Sequence, residues 1–160
     1  MTAQMCTMAV ESPIGPLLLA SDGRALTGIF LPGSRPLASG ADQTPPRVLL
    51  SSAEQLSEYF AGDRTRFDIP TSLDGTDFQR AVWGELARIP YGTTITYGEL
   101  ARRIGRPTSF RAVGQANGRN RIPIVVPCHR VVAGDGIGGY SGGLEIKRAL
   151  LAVEGYLLPG

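Results

Sequence analysis

The 160-residue sequence is poor in metal-binding and disulfide-forming residues, with one histidine (His129) and two cysteines (Cys6 and Cys128). Two cysteines do not build a disulfide framework, and these three side chains do not make a zinc cluster. No apolar run approaches the roughly 20 residues that cross a bilayer, and the first residues do not resemble a signal peptide. We therefore expect a globular protein of a reducing cytosol, in which Cys6 is a bystander thiol.

Acidic residues are absent from residues 100–134, a stretch that contains seven arginines. Residues 1–75 carry five basic and eight acidic side chains, whereas residues 76–160 carry eleven basic and six acidic ones. Arginine forks bind phosphate oxygens in pairs, so such a stretch is typical of a nucleic-acid surface. The alternative is an ordinary solvated basic face. Because the stretch adjoins a possible nucleophile, we favour nucleic acid.

Residues 1–75 have the pattern of a small α/β domain. Short apolar stretches separated by turn residues predict strands over 7–11, 16–20 and 25–31, and a Pro-rich loop over 32–46. The stripe of Leu49, Ala53, Leu56 and Phe60 predicts a helix over 47–61, and residues 65–69 predict a further strand. No group of residues here suggests chemistry, so we interpret this domain as a scaffold.

Residues 76–160 form a second, mostly helical domain in this prediction. Two capping boxes, Thr76 with Gln79 and Thr96 with Glu99, open helices. A further helix is predicted over 110–117, capped by Thr108 or Ser109. Together with the helix that Thr96 opens, it makes a helix-turn-helix pattern. We expect Trp83 to pack in the core of this domain. The fold class is thus α+β.

The second helix of the pair carries small residues, Ala112, Gly114 and Ala116. Small side chains let a helix backbone come close to its target, as in a narrow nucleic-acid groove. They equally allow close packing against a neighbouring helix. The helix alone does not decide between these interpretations.

Residues 122–126 are mostly β-branched and predict a buried strand or extended segment. Pro127 ends it, and Cys128 and His129 follow at once. Cys128 is either a nucleophile held in a pocket or a buried structural thiol, and the residues alone favour neither. The glycine-rich loop over 133–143 lacks the Gly-Lys-Ser/Thr ending of a nucleotide loop.

Glu154 lies at the edge of the apolar stripe of a last predicted helix over 144–154, formed by Ile146, Leu150 and Val153. A carboxylate there needs a partner, and His129 or an arginine can supply it. Cys128, His129 and Glu154 would make a nucleophile, a base and an orienting carboxylate.

The sequence from Pro127 to Val131, Pro-Cys-His-Arg-Val, resembles the active-site signature of the methylated-DNA–protein-cysteine methyltransferases, which act on 6-O-methylguanine in DNA. The resemblance covers essentially all of residues 75–156, and is looser before them. Further matching stretches follow in the same order: Gly75 to Gln79, Ile89 to Gly92, Thr96 to Gly98, Arg111 to Gly114, Asn120, and Tyr140 to Gly143.

The resemblance implies a ribonuclease H-like domain over 1–75 and a winged-helix-like, DNA-binding alkyltransferase domain over 76–160. It implies that Cys128 takes the alkyl group directly. A thiol suits this attack because it is partly ionised near neutral pH. His129 would act as base through a bridging water, with Glu154 orienting it, and Asn120 would brace the turn before the cysteine.

The resemblance further implies contacts with double-stranded DNA from the minor groove. Arg111 would fill the space of the flipped guanine, and Tyr97 would rotate the nucleotide and donate a hydrogen bond to the leaving base. The implied DNA-binding and base-binding residues are Arg111, Ala112, Gly114, Tyr97, Val131, Tyr140 and Ser141.

The expected activity is irreversible repair of 6-O-methylguanine, and of 4-O-methylthymine, by a monomer that acts once and uses no cofactor or metal. Relatives with an N-terminal zinc site exist, but Cys6 has no suitable partners nearby in sequence. The alternatives are a non-catalytic lesion-binding protein of the alkyltransferase-like type, a winged-helix regulator, and a Cys–His hydrolase of acyl groups.

Overall fold

The structure is a computed structural model that describes residues 5–33 and 44–156. The chain divides into two units between Leu73 and Asp74. Most of the loop predicted over 32–46 lies outside the described residues. The elements of the first unit are β1 (Cys6–Val10), β2 (Leu17–Ser21), β3 (Leu26–Phe30) and α1 (Arg47–Phe60). Those of the second unit are α2 (Asp77–Leu86), β4 (Ile95–Thr96), α3 (Tyr97–Arg103), α4 (Phe110–Gly118), β5 (Val131–Val132) and α5 (Leu144–Val153).

The three strands of the first unit form the predicted antiparallel meander in the order β1-β2-β3. Both turns are closed by side chains: Ser12 Oγ donates to the Gly15 carbonyl at 2.6 Å, and Asp22 Oδ1 accepts from the Arg24 and Ala25 amides. The central strand β2 is almost wholly buried. The sequence pattern therefore predicted this sheet correctly.

The strand predicted over residues 65–69 is wrong. The Gln55 side chain on α1 binds the backbone of Asp68 instead, accepting from its amide at 2.8 Å and donating to its carbonyl at 3.0 Å. An isolated bridge to the sheet follows at Thr71, where the Leu26 backbone bonds to Pro70 and Ser72. A side-chain amide thus holds this segment where the pattern predicted a strand partner.

The helices of the second unit begin largely as predicted. Thr76 and Gln79 form the capping box of α2. Thr96 accepts from the Glu99 amide at 3.1 Å, but the Glu99 carboxylate, predicted to complete a second box, binds arginines of α3 instead. Ser109 stands before α4 without a side-chain capping bond.

Trp83 is 5% exposed and donates through Nε1 to the Ala116 carbonyl at 2.8 Å. This contact joins α2 to α4 and confirms the predicted core position of the indole. The two short strands β4 and β5 pair in parallel, with Ile95 beside Val131. The pairing brings the start of α3 next to the residues that follow Cys128.

Candidate active site

The segment before Cys128 is a tight turn, so the strand predicted over residues 122–126 is wrong. Ile124 has a φ of 75°, which β-branched residues rarely adopt. Asn120 closes the turn, because its side chain accepts from the Ile122 amide at 3.0 Å and donates to the Val126 carbonyl at 2.7 Å. The β-branched side chains are buried as predicted, but Asn120 replaces the strand partner.

Cys128 begins a one-turn 3₁₀ helix (Cys128–Arg130) and is 5% exposed. Burial raises the pKa of its thiol, while hydrogen bonds with Asn120 and Tyr140 and the positive charge of Lys147 act in the opposite direction. Burial is the largest of these effects, so the resting thiol is protonated at neutral pH. We therefore expect the reaction to need a base.

His129 and Glu154 meet through Nε2 and Oε2 at 2.6 Å, and both side chains are fully buried. Because the carboxylate only accepts, Nε2 carries the imidazole proton and Nδ1 keeps its lone pair. Nδ1 has no hydrogen-bond partner among residues 5–33 and 44–156, so the ring is not bonded to the Cys128 thiol. Burial lowers the pKa of His129 more than Glu154 raises it. The neutral ring can therefore accept a proton at Nδ1.

Arg130 belongs to the same network, although the sequence analysis assigned it no role. Its Nε and Nη2 donate to the two oxygens of Glu154 at 2.8 and 3.0 Å, and its Nη1 donates to the Ile89 carbonyl at 2.7 Å. The Gly92 amide donates to Glu154 as well, at 3.0 Å. The sequence predicted either a histidine or an arginine as the partner of Glu154, and in the structure both His129 and Arg130 bind its carboxylate.

Tyr97 stands at the start of α3, half-buried, and its hydroxyl donates to the Gly139 carbonyl at 3.3 Å. Burial, followed by the nearby Cys128, raises the pKa of Tyr97. The phenol is therefore protonated and can donate. Gly114 on α4 faces this ring, since a Cβ there would lie 3.9 Å from Tyr97 Cδ1.

The sequence left open whether the small residues of α4 pack against a neighbouring helix or face a nucleic-acid groove, and the structure shows both buried and exposed ones. Ala116 is buried and packs in the core, whereas Ala112 and Arg111 are exposed. Of the seven arginines in residues 100–134, three are paired with carboxylates: Arg102, Arg103 and Arg130. The other four are exposed: Arg106, Arg111, Arg119 and Arg121. The basic surface is therefore smaller than the composition suggested.

The glycine-rich loop supplies the remaining predicted site residues. Ser141 Oγ donates to the Gly118 carbonyl at the end of α4, at 2.8 Å. Tyr140 is half-buried and acts to lower the pKa of the Cys128 thiol, against the effect of burial. The Val131 carbonyl accepts from Lys147 at 2.7 Å, a residue that the sequence analysis missed.

A signal for Lys147 was present in the sequence. Lys147, Leu150, Leu151 and Glu154 recur at helical spacing and form the buried face of α5. The predicted stripe of Ile146, Leu150 and Val153 is therefore partly wrong, since Ile146 and Val153 are only half-buried. A lysine is usually solvated, which is why the pattern was not extended to it.

Neither a metal cluster nor a membrane-spanning helix occurs in the described part of the chain. No group of three or more His, Cys, Asp or Glu side chains there could hold a metal ion. No helix within the same ranges is long and apolar enough to cross a membrane.

The fold and the site together define a class of protein: a buried cysteine, followed in the chain by a histidine paired with a carboxylate, beside a helix-turn-helix with exposed arginines. Two family models agree with this class. The DNA-binding domain of 6-O-methylguanine DNA methyltransferase matches residues 77–156, and the ribonuclease-like domain of the same family matches residues 5–73. The chain belongs to the 6-O-methylguanine DNA methyltransferase family.

Individual relatives agree with the family. The methylated-DNA–protein-cysteine methyltransferase of Mycobacterium tuberculosis is 49% identical over 147 residues, covering 91% of this chain and 89% of its own length. The protein of the same name from Methanosarcina barkeri is 47% identical over 148 residues, with 91% and 94% covered. The crystal structure of Mycobacterium tuberculosis OGT in complex with DNA superposes with a TM-score of 0.81 at 48% identity, covering 94% of this chain and 91% of that one.

Proposed function

We propose that this protein repairs alkylated DNA by direct reversal, moving the alkyl group of 6-O-methylguanine, and of 4-O-methylthymine, to its own Cys128 in a single turnover. The observation that carries the proposal is the buried Cys128 thiol, with the His129–Glu154 pair next to it in the chain. This set is a nucleophile with an oriented base. The names of the relatives support the substrate class. A thiol that acts as reagent must stay reduced, so the cytoplasm is the proposed compartment.

The reaction balances with the base and the thiol alone. Sulfur bonds to the alkyl carbon, the bond between that carbon and the base oxygen breaks, and its electron pair stays on the base. The thiol proton passes to Nδ1 of His129 through a water molecule. Tyr97 donates its hydroxyl proton to the base and regains a proton that His129 releases through solvent, so the net change is one proton moved from thiol to base. The thioether product is inert, so each molecule acts once.

The alkyl carbon of a stacked, paired base is out of reach of a buried thiol. The nucleotide must therefore leave the duplex, at a cost of a few kcal/mol. We assign Arg111, exposed on α4, to the space that the base leaves, and Tyr97 to the rotation of the nucleotide. Ala112 and Gly114 let the backbone of α4 approach the minor groove. Val131, Tyr140 and Ser141 are the proposed lining of the base pocket.

The test is a duplex that holds one 6-O-methylguanine, incubated with the protein and followed by intact and peptide mass measurement. We expect one methyl group on the Cys128 peptide and never more than one per protein. Cys128→Ala should bind the duplex and transfer nothing, and Arg111→Ala should still react with the free alkylated base but repair the duplex slowly. Restored guanine with unmodified protein would contradict the proposal, and lesion binding without transfer would support the lesion-binding alternative.

A further inference from the structure

Asn117 lies on the buried face of α4 and is 5% exposed. Its Nδ2 donates to the Cys128 carbonyl at 3.4 Å. Because a carbonyl only accepts, this contact fixes which way the amide points and makes Oδ1 the acceptor on its other side. Within residues 5–33 and 44–156, Oδ1 is buried and has no hydrogen-bond partner. A buried acceptor without a partner costs folding free energy, and the reaction proposed above uses no atom of Asn117.

A second buried acceptor stands beside the same cysteine. It is Nδ1 of His129, which also has no hydrogen-bond partner among the described residues. The carbonyl that Asn117 contacts belongs to the peptide group that joins Cys128 to His129. Both acceptors therefore lie on side chains attached to, or bonded to, one peptide group next to the thiol. Two acceptors cannot bond to each other, so a third group must supply the hydrogens.

We propose that Asn117 is a positioning residue for alkyl transfer: its Oδ1 holds the water molecule that carries the thiol proton from Cys128 to Nδ1 of His129. This inference rests on the proposed function and names a further residue of the same site. A water molecule gives one hydrogen to each of the two acceptors and accepts from the thiol with a lone pair. Three polar partners are the usual number for a buried water molecule.

The bond to Asn117 sets the direction of the proton transfer. With one hydrogen of the water held by Oδ1, the other points to Nδ1 of His129 and a lone pair faces the Cys128 thiol. The thiol proton moves to the water as the hydrogen facing Nδ1 moves to the ring, so the water is regenerated and sulfur becomes a thiolate. Nδ1–H then donates to the water, which donates to the sulfur and still to Oδ1. Without this bond the water is free to turn away from the productive orientation.

The side chains that act on the pKa of Cys128 or His129, or that lie in the same network, come from several elements: Glu154, Arg130, Lys147, Tyr97 and Tyr140. Within the described part of the chain, none of them donates to Oδ1 of Asn117 or to Nδ1 of His129. None can therefore replace the water between these two atoms. All of them stay in place when Asn117 is replaced.

Asn117→Leu is the test variant, because leucine has the same branching at Cγ and no acceptor. We would measure single-turnover transfer from the 6-O-methylguanine duplex between about pH 6.5 and about pH 9, affinity for undamaged duplex, and unfolding in urea. Thr7→Val is the matched control. Thr7 Oγ1 is another buried side-chain atom without a hydrogen-bond partner among the described residues, but it belongs to the first unit.

We expect Asn117→Leu to transfer about three- to tenfold more slowly at neutral pH, the effect of one lost hydrogen bond. This deficit should shrink as the pH rises, because thiolate that forms by loss of a proton to solvent needs no relay and increases tenfold per pH unit below the thiol pKa. Duplex affinity and the urea midpoint should match the wild type, and Thr7→Val should match it throughout. A wild-type rate in Asn117→Leu, or an equal deficit at every pH, would overturn the inference.

The double variant Asn117→Leu with His129→Gln shows whether the two residues act through one water. His129→Gln removes the base, so the further loss of Oδ1 should slow transfer by less than about twofold. Costs that multiply in full would mean that the two residues act separately, against the proposal. If His129→Gln does not fold, the pH profile of Asn117→Leu decides. If Asn117→Leu does not fold, Asn117→Met replaces it, since the flexible methionine fits irregular space.

Failure of the wild-type protein to transfer any methyl group would contradict the proposed function and leave the role of Asn117 testable. Alkylation of Cys128 by iodoacetamide also needs the thiol proton to leave. That reaction should be about three- to tenfold slower in Asn117→Leu than in the wild type at neutral pH, and equal rates would overturn the inference.

Discussion

Replacing Glu154 with glutamine tests whether charge holds the buried network around it. Glu154 accepts four hydrogen bonds: two from Arg130 and one each from His129 and the Gly92 amide. Glutamine keeps the size but turns an NH₂ group toward donors, and it leaves the 6%-exposed Arg130 without its carboxylate. Removing one partner of a buried ion pair costs about 3–5 kcal/mol, so we expect the free energy of unfolding to fall by about that amount.

The double variant separates charge from packing. Arg130→Met alone leaves Glu154 buried without its guanidinium partner and should cost a similar amount. Arg130→Met with Glu154→Gln leaves neither charge, so its cost should be below the sum of the two single costs by at least about 1 kcal/mol. Transfer should not recover in the same way, because the double variant still lacks the carboxylate that orients His129.

Urea unfolding of the four proteins gives the free energies, with unchanged m-values as the condition for comparing them. Glu145→Gln and Arg148→Met are matched controls on the same helix, both exposed, and should stay within about 0.5 kcal/mol of the wild type. Strictly additive costs in the double variant would refute the argument that the two charges compensate each other.

Three further predictions follow from buried contacts. Asn120→Ala should lower the free energy of unfolding by about 1–3 kcal/mol in urea, because it removes two hydrogen bonds of the turn and leaves the Ile122 amide without this partner; an unchanged midpoint would contradict this role. The fold lowers the pKa of His129 from its ordinary value of 6.5, so below that pH the unfolded chain binds more protons than the folded one. The free energy of unfolding should therefore fall on acidification from pH 6.5 to about 5, by at most about 1.4 kcal/mol per pH unit. His129→Gln should remove this pH dependence. Trp83→Phe should cost about 0.5–1.5 kcal/mol by removing the hydrogen bond to the Ala116 carbonyl, which keeps the Arg119 amide as a donor. The pH dependence of transfer should not change, and a shifted profile would contradict a purely structural role for the indole.

Local rules explain what could be predicted from the sequence. The antiparallel meander follows from short apolar stretches and an Asp-Gly turn, and the start of α2 from its capping box. Each of these signals lies within a few neighbouring residues, so it needs no knowledge of distant contacts. The Pro-Cys-His-Arg-Val signature likewise marked the position of the site without its geometry.

The wrong predictions share a physical cause. Residues 65–69 and 122–126 have strand-like composition, yet Gln55 and Asn120 supply the hydrogen bonds that strand partners would have provided. The Gln55 amide, which both donates and accepts, lies 13 residues away and is invisible to a local pattern. Asn120 is close in the chain, but a pattern of apolar residues gives no weight to a side-chain amide. The apolar pattern also favoured Ile146 over Lys147 as a buried residue, because a lysine is buried only where hydrogen-bond acceptors surround its ammonium.

By itself the sequence determined the helical surface with its arginines, the fold class, and the cysteine and histidine at its centre. Only the tertiary structure decided the charge state of the site. It buries the Cys128 thiol in protonated form, pairs Glu154 with both His129 and Arg130, and places the ammonium of Lys147 among three carbonyls. The ionisation of a buried group depends on the water it loses and on the charges that distant elements bring to it, and both are set when the chain folds.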